Sequence, residues 1–209
     1  MNIALFGGSG RTGRELIAQA LEQGHDVKAL VRTPEKLGIT HARLTVIRGN
    51  AENREDVFRT VEGTDAVVMA LGHTKTSNKD ILEKATSHVV AAMHEYGVKR
   101  VINLTGATVK VPKDVKQKFV SRFAETLMKT LASDLLRDSY TQKGILEASG
   151  LDWTVVRCPR LLEGPKTEQY RTGYFAFKKP MIDRADVAHF MLREIEGRQY
   201  VHEYPLIGN

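Results

Sequence analysis

Residues 2–13 read Asn2-Ile3-Ala4-Leu5-Phe6-Gly7-Gly8-Ser9-Gly10-Arg11-Thr12-Gly13. A short apolar run ends in glycine, and glycines recur at positions 7, 10 and 13. The run reads as a buried strand. Behind it, Leu16, Ile17, Ala20 and Leu21 fall at helical spacing, so residues 14–24 read as a helix stopped by Gly24. Glycines at such a junction permit a tight turn, close approach of a ligand to backbone and close packing of helix on strand. The free amides and the dipole at the helix start attract phosphate. Without the flanking strand and helix this spacing would mark only a turn. With them it implies a dinucleotide pyrophosphate docked on Gly7, Gly10, Thr12 and Gly13.

Strand-like and helix-like stretches alternate from there. Residues 26–31 form the next strand, followed by the turn Thr33-Pro34. Residues 44–47 form a third. A helix over 53–61 is closed by Gly63-Thr64-Asp65, and the apolar run 66–71 is a fourth strand buried on both faces. A long helix over 80–96 ends at Gly97, and a fifth strand covers 100–104. Repeated β-α-β units build a parallel sheet with helices on both faces. The fold class is therefore α/β, a Rossmann-like doubly wound parallel sheet, in one domain over 1–209. The second half is less regular. Residues 110–138 are basic, with Phe119, Phe123, Leu127 and Leu131 at helical spacing. A separate helix is expected over 140–149 and a strand over 153–157. Another helix is expected over 186–195, capped by Asp186, with a last strand over 200–205. Small substrate or lid elements are expected within 106–140 and 158–185.

The bulk numbers restrict the function classes. The chain has 209 residues, 42% hydrophobic and 27% charged, which suits a soluble globular domain. No apolar run approaches the ~20 residues of a membrane span. Residues 1–7 lack a charged leader and a cleavage site, so a strand is expected there rather than a signal peptide. The single cysteine, Cys158, forms no internal disulfide, and a cytoplasmic location is expected. Cys158, Trp153 and His189 sit in apolar patterns and read as core. The net charge of +6 suits an anionic small ligand. Without zinc-ligand spacing or an RNA-binding signature, nucleic acid is not an expected partner. No His, Cys, Asp and Glu cluster suggests a metal.

The choice between NAD and NADP falls at the end of the second strand. NAD binders tend to place a carboxylate there for the ribose 2′-hydroxyl. This chain has Val31-Arg32-Thr33. Arg32 can pair with a 2′-phosphate and stack on adenine, and Arg11 can reach the same phosphate. The alternative is two plain surface arginines. With no competing acid, NADP(H) is expected in preference to NAD(H).

Several stretches carry a resemblance: the glycine loop, Leu30-Val31-Arg32, Leu71-Gly72, Ser149-Gly150-Leu151-Asp152-Trp153-Thr154-Val155-Val156-Arg157 and Asp183-Arg184-Ala185-Asp186-Val187-Ala188-His189-Phe190-Met191-Leu192. Across its length the chain resembles atypical short-chain dehydrogenase/reductase proteins of the NmrA-like NAD(P)-binding type, nearest to the flavin reductase and biliverdin reductase B group. The resemblance implies NADPH-dependent reduction of flavins or other flat aromatic acceptors. It places Thr12 at the pyrophosphate, Arg32 at the 2′-phosphate, Leu71 and Gly72 beside the nicotinamide ribose, and Pro159 near the nicotinamide ring. Thr105, Gly106 and Ala107 stand where the family often has a site serine, and Arg160 stands where that group has a histidine. Asn50-Ala51 replaces the usual Gly-Asp near the adenine.

A proton donor is harder to find. The wider superfamily uses Tyr-x-x-x-Lys, in which the lysine lowers the tyrosine's pKa. Tyr140 and Lys143 are one residue short of that spacing but share a helix face. They stand as catalytic candidates with Thr105 and Arg160; an ordinary surface pair is the plainer alternative. His73, after the fourth strand, could also donate a proton, with an exposed spectator as its alternative. Three functions remain in view. One is an NADPH-dependent reductase of a flavin, quinone or similar small aromatic substrate. Another is a non-catalytic NADP(H)-binding redox sensor. The last is a sugar-nucleotide epimerase or dehydratase, for which the chain is short. A monomer or a homodimer is compatible with all three.

Overall fold

The computed structural model describes residues 1–74, 76–115 and 133–209. Strands β1 (Asn2–Phe6), β2 (Asp26–Val31), β3 (Leu44–Arg48), β4 (Ala66–Met69), β5 (Arg100–Gly106) and β6 (Asp152–Cys158) lie parallel, in the order β3-β2-β1-β4-β5-β6. Beyond β6 the sheet continues through β10 (Leu206–Gly208), which is parallel to it, and β8 (Arg171–Gly173), which is antiparallel to β10. Two short strands, β7 (Arg160–Leu162) and β9 (Met181–Asp183), pair separately. Helices α1 (Arg11–Glu22), α2 (Arg54–Val61), α3 (Ile81–Glu95), α4 (Ser133–Ala148) and α5 (Arg184–Gly197), with a 3-10 turn at Pro34–Lys36, complete the described elements.

The period-2 alternation of the strands sorts two apolar layers. Ile3 and Leu5 of β1, with Ala66 and Val68 of β4, face Leu16, Ile17 and Ala20 of α1 and Val187, Ala188 and Met191 of α5. The intervening Ala4 and Phe6, with Val67 and Met69, face Val57 of α2, Ala85, Val89 and Met93 of α3 and Leu146 of α4. Strands buried on both faces need continuous apolar runs, and β1 and β4 supply them. This is the expected doubly wound α/β sheet. The strand order reverses between β1 and β4, and crevices for ligands open at such switch points.

Several boundaries differ from the sequence expectation. Helix α1 starts at Arg11 rather than 14, so Thr12 and Gly13 belong to its first turn. Helix α4 runs unbroken over Ser133–Ala148 and does not restart at 140. The hydroxyls of Ser139 and Thr141 donate to the carbonyls one turn back, Leu135 and Arg137, so these polar residues stay within the helix. Asp186 does not cap α5: the helix begins at Arg184, and the Asp186 carboxylate accepts from the Thr167 amide and hydroxyl and the Glu168 amide. The last strand is β10, not 200–205. His202 adopts left-handed backbone there, and the segment forms an isolated bridge, Thr154 to Glu203, rather than a ladder. Phe119, Phe123, Leu127 and Leu131 lie outside the described residues, as does most of the basic segment 110–129. Among the described residues no helix is long and apolar enough to cross a membrane, and no cluster of three His, Cys, Asp or Glu is placed to hold a metal.

Candidate dinucleotide cleft

The glycine loop turns directly from β1 into α1. The Gly10 amide donates to the Gly7 carbonyl at 3.0 Å, closing the turn. Gly7 has φ +89°, and a Cβ on it would meet the Ala70 carbonyl oxygen at 2.4 Å. A Cβ on Gly13 would sit 2.1 Å from the Gly7 carbonyl oxygen, so that glycine lets α1 pack onto the loop. Helix α1 has no acid in its first turn, and its N-cap residue, Gly10, brings no side-chain bond. The first amides of a helix have no acceptor within it, so those of Arg11 and Thr12, which line the cleft, are available to an anion.

A cleft of about 460 Å³ lies over this helix start and the C-terminal ends of β1, β2 and β4. Gly7, Gly10, Arg11 and Thr12 line its middle, with Arg32, Gly49, Asn50 and Ala51 on the β2–β3 side. Leu71, Gly72, His73, Thr74 and Ser77 line the other side, with Ile81, Leu161 and Arg184. Three arginines and no carboxylate are among these residues. Asn50 and Ala51 are held by the head of α2, where Asp56 accepts from the Asn50 amide at 2.9 Å. At the rim, Glu163 accepts from Arg11 at 3.0 Å and from the largely buried Arg184 at 2.9 Å.

The residues present fit a dinucleotide. The helix start is uncapped, the glycines leave room where a Cβ would strike backbone, and the lining is cationic. The expected cofactor residues therefore converge, with two qualifications. Gly13 acts from behind the loop, and Pro159 lies outside the cleft lining, half-buried next to Gly208. Arg184 was not singled out as a site residue from sequence. It enters the cleft from the head of α5, far along the chain from the loop, and its only local signal was its place in the Asp183-Arg184 stretch.

The candidate catalytic residues are dispersed. Tyr140 is exposed, and its hydroxyl accepts from the Lys110 amide at 2.9 Å. Lys143 pairs with Glu147 at 2.7 Å and lies over the Tyr204 ring. Arg160 is exposed on β7, where its amide donates to the Pro180 carbonyl. Thr105 is half-buried at the end of β5, and its carbonyl accepts from the Cys158 thiol at 3.4 Å. None of these four lines the cleft. Burial pushes the Cys158 thiol up to about 12, which fits its expected core role. His189 is likewise packed, bonded to the Tyr170 hydroxyl at 2.7 Å, and burial lowers its pKa.

His73 is not an exposed spectator. Its Nε2 is 2.8 Å from Asp138 and 3.2 Å from the Lys79 carbonyl oxygen. Asp138 is buried and also accepts from the amides of Leu82 and Glu83 at the start of α3. The partners are 65 residues apart, so no local pattern announced the pair.

Comparison with known proteins agrees with this geometry. The photosystem II assembly factor Ycf39 of Synechocystis is 24% identical over 223 residues, covering 100% of this chain and 63% of that protein. The chain spans 45 to 63% of the length of the first curated relatives it matches. A wide-type short-chain dehydrogenase/reductase from Veillonella parvula, solved with NADP, superposes with a TM-score of 0.76 at 18% identity, covering 100% of this chain and 94% of that one. ChuY, an anaerobillin reductase from Escherichia coli O157:H7, superposes with a TM-score of 0.77 at 19% identity, covering 99% and 96%. The sequence profile described as NAD(P)H-binding matches residues 7–197, and with its glycine loop and open cleft the chain belongs to that NAD(P)H-binding family.

Proposed function

We propose that the protein is an NADPH-dependent oxidoreductase that reduces a flavin, a quinone or a similar planar acceptor. The observation that carries this reading is the cleft lined by three arginines and no carboxylate. Such a lining favours a dinucleotide with an extra phosphate over one with a free ribose hydroxyl. The amides of Arg11 and Thr12 would hold the pyrophosphate. Arg32, with Arg11, would hold the 2′-phosphate, since a guanidinium binds phosphate through two parallel hydrogen bonds. Leu71 and Gly72 would border the ribose next to the nicotinamide. When bound, the dinucleotide supplies the hydride; the protein supplies binding, orientation and exclusion of water. The acceptor-reducing activity of the flavin reductase group, and the reductase named among the structural neighbours, support the choice of chemistry.

The direct test is NADPH oxidation measured with flavins, quinones and linear tetrapyrroles. Turnover with at least one planar acceptor, faster with NADPH than with NADH, is expected. Binding of NADPH with no turnover across the panel would instead favour the second reading, a non-catalytic NADP(H)-binding redox sensor. That reading draws on Tyr140 and Lys143, both engaged by partners outside the cleft. It predicts partner proteins whose affinity differs between the oxidised and reduced dinucleotide.

A further inference from the structure

A reductase of a planar acceptor needs a proton as well as a hydride, and the four sequence candidates do not line the cleft. His73 does. Both groups at its Nε2, the Asp138 carboxylate and the Lys79 carbonyl, are acceptors, so Nε2 carries the hydrogen. Nδ1 bonds no described residue. Asp138 is 4% exposed and is itself fixed by two amides at 2.9 Å, from Leu82 and Glu83. A buried carboxylate anchored to a helix start thus fixes both the tautomer and the position of a ring that lines the cleft.

We propose that His73 is the catalytic proton donor of the reduction and that Asp138 is its positioning residue; this rests on the reductase reading above. The acceptor gains two electrons and a hydrogen as hydride from the reduced dinucleotide, which becomes oxidised. It gains a proton at a heteroatom from Nδ1–H of the His73 imidazolium. That N–H bond breaks, leaving the neutral Nε2–H imidazole, which solvent reprotonates. Charged groups on the elements around His73 are Asp138, Asp134 and Arg137 of α4, Lys79 paired with Asp134, and Asp80 paired with Lys84 at the head of α3. Arg11 and Arg184 line the same cleft.

Two measurements decide it. Long-range nitrogen–proton NMR on histidine-labelled protein should show His73 as the neutral Nε2–H tautomer at high pH. Asp138→Asn removes the negative charge beside Nε2 and should shift part of the ring population toward Nδ1–H. His73→Gln should lower kcat for the acceptor about 100-fold, the lower range for general acid catalysis. It should also change the pH profile of kcat. NADPH affinity should stay within twofold of wild type. An Nδ1–H wild type, or a His73→Gln variant with unchanged kcat and pH profile, overturns the proposal while leaving the reductase reading standing. A wild type that binds NADPH but reduces no acceptor overturns the reductase reading and this inference together. If Asp138→Asn does not fold, the wild-type tautomer and the His73→Gln kinetics still decide.

Discussion

Arg32 leaves the end of β2 with its side chain exposed at the cleft, and no acid lines the cleft beside it. A hydrogen bond to a charged group contributes about 1.5–3 kcal/mol, so Arg32→Ser should weaken NADPH binding by roughly 10- to 100-fold. It should leave NADH binding within a few-fold, since on the proposed reading the amides of α1 would hold the pyrophosphate. Titrating the nicotinamide fluorescence of each reduced dinucleotide against wild type and variant measures both effects. Equal losses for the two would assign Arg32 to a contact they share. At the same scale, the guanidinium of Arg11, the second arginine proposed for the phosphate, is bonded to Glu163.

Among the elements, the segment after β5 depends on one buried cation. Arg157 of β6 is fully buried and donates to the Val109 and Tyr204 carbonyls and, through two nitrogens, to Asp114. Partial burial pushes the Asp114 carboxyl up, but the Arg157 hydrogen bond, the Val111 amide and the nearby positive charge outweigh it and hold the pKa below its ordinary 3.8. A lowered folded-state pKa gives stability that is complete above the unfolded value and lost as pH falls through the folded one. The bridge should therefore contribute fully down to pH 3.8, the ordinary Asp value, and be lost as pH falls further, through the lower folded value. Asp114→Asn should cost about 3 kcal/mol at pH 7, the scale for breaking a buried pair by removing one partner. Urea denaturation of both proteins at pH 7 and pH 3 should show the gap narrowing at the lower pH; an unchanged gap would deny the pair its role. How legible an element was follows the same local logic. Strands β1 and β2 matched their expected ends because apolar runs bounded by polar or glycine residues define them without help. Strands β7 and β9 have three residues each and exist only by pairing with one another, 21 positions apart in register, so no window of sequence reveals them. From sequence, helix α4 is expected to break at Asp138 and Ser139, where the basic segment ends. One is instead drawn into the interior by α3 and His73, and the other bonds back to its own helix.

At the scale of the whole molecule, the described residues form two apolar layers on an eight-stranded sheet, with the separate β7–β9 pair and a cation-lined cleft where the strand order reverses. The glycine-loop side of that cleft was legible because one contiguous stretch builds it. Arg184, Glu163 and the His73–Asp138 pair were not, because the sheet gathers them from distant parts of the chain. A net charge of +6 and three cleft arginines also predict that binding weakens as salt screens the phosphates. The central claim, that this cleft selects a 2′-phosphorylated dinucleotide, is tested most directly by isothermal titration of the wild-type protein with NADPH and NADH in the same low-salt buffer. NADPH is expected to bind at least tenfold tighter, a difference of about 1.4 kcal/mol. Equal affinities, tighter binding of NADH or binding of neither would contradict it.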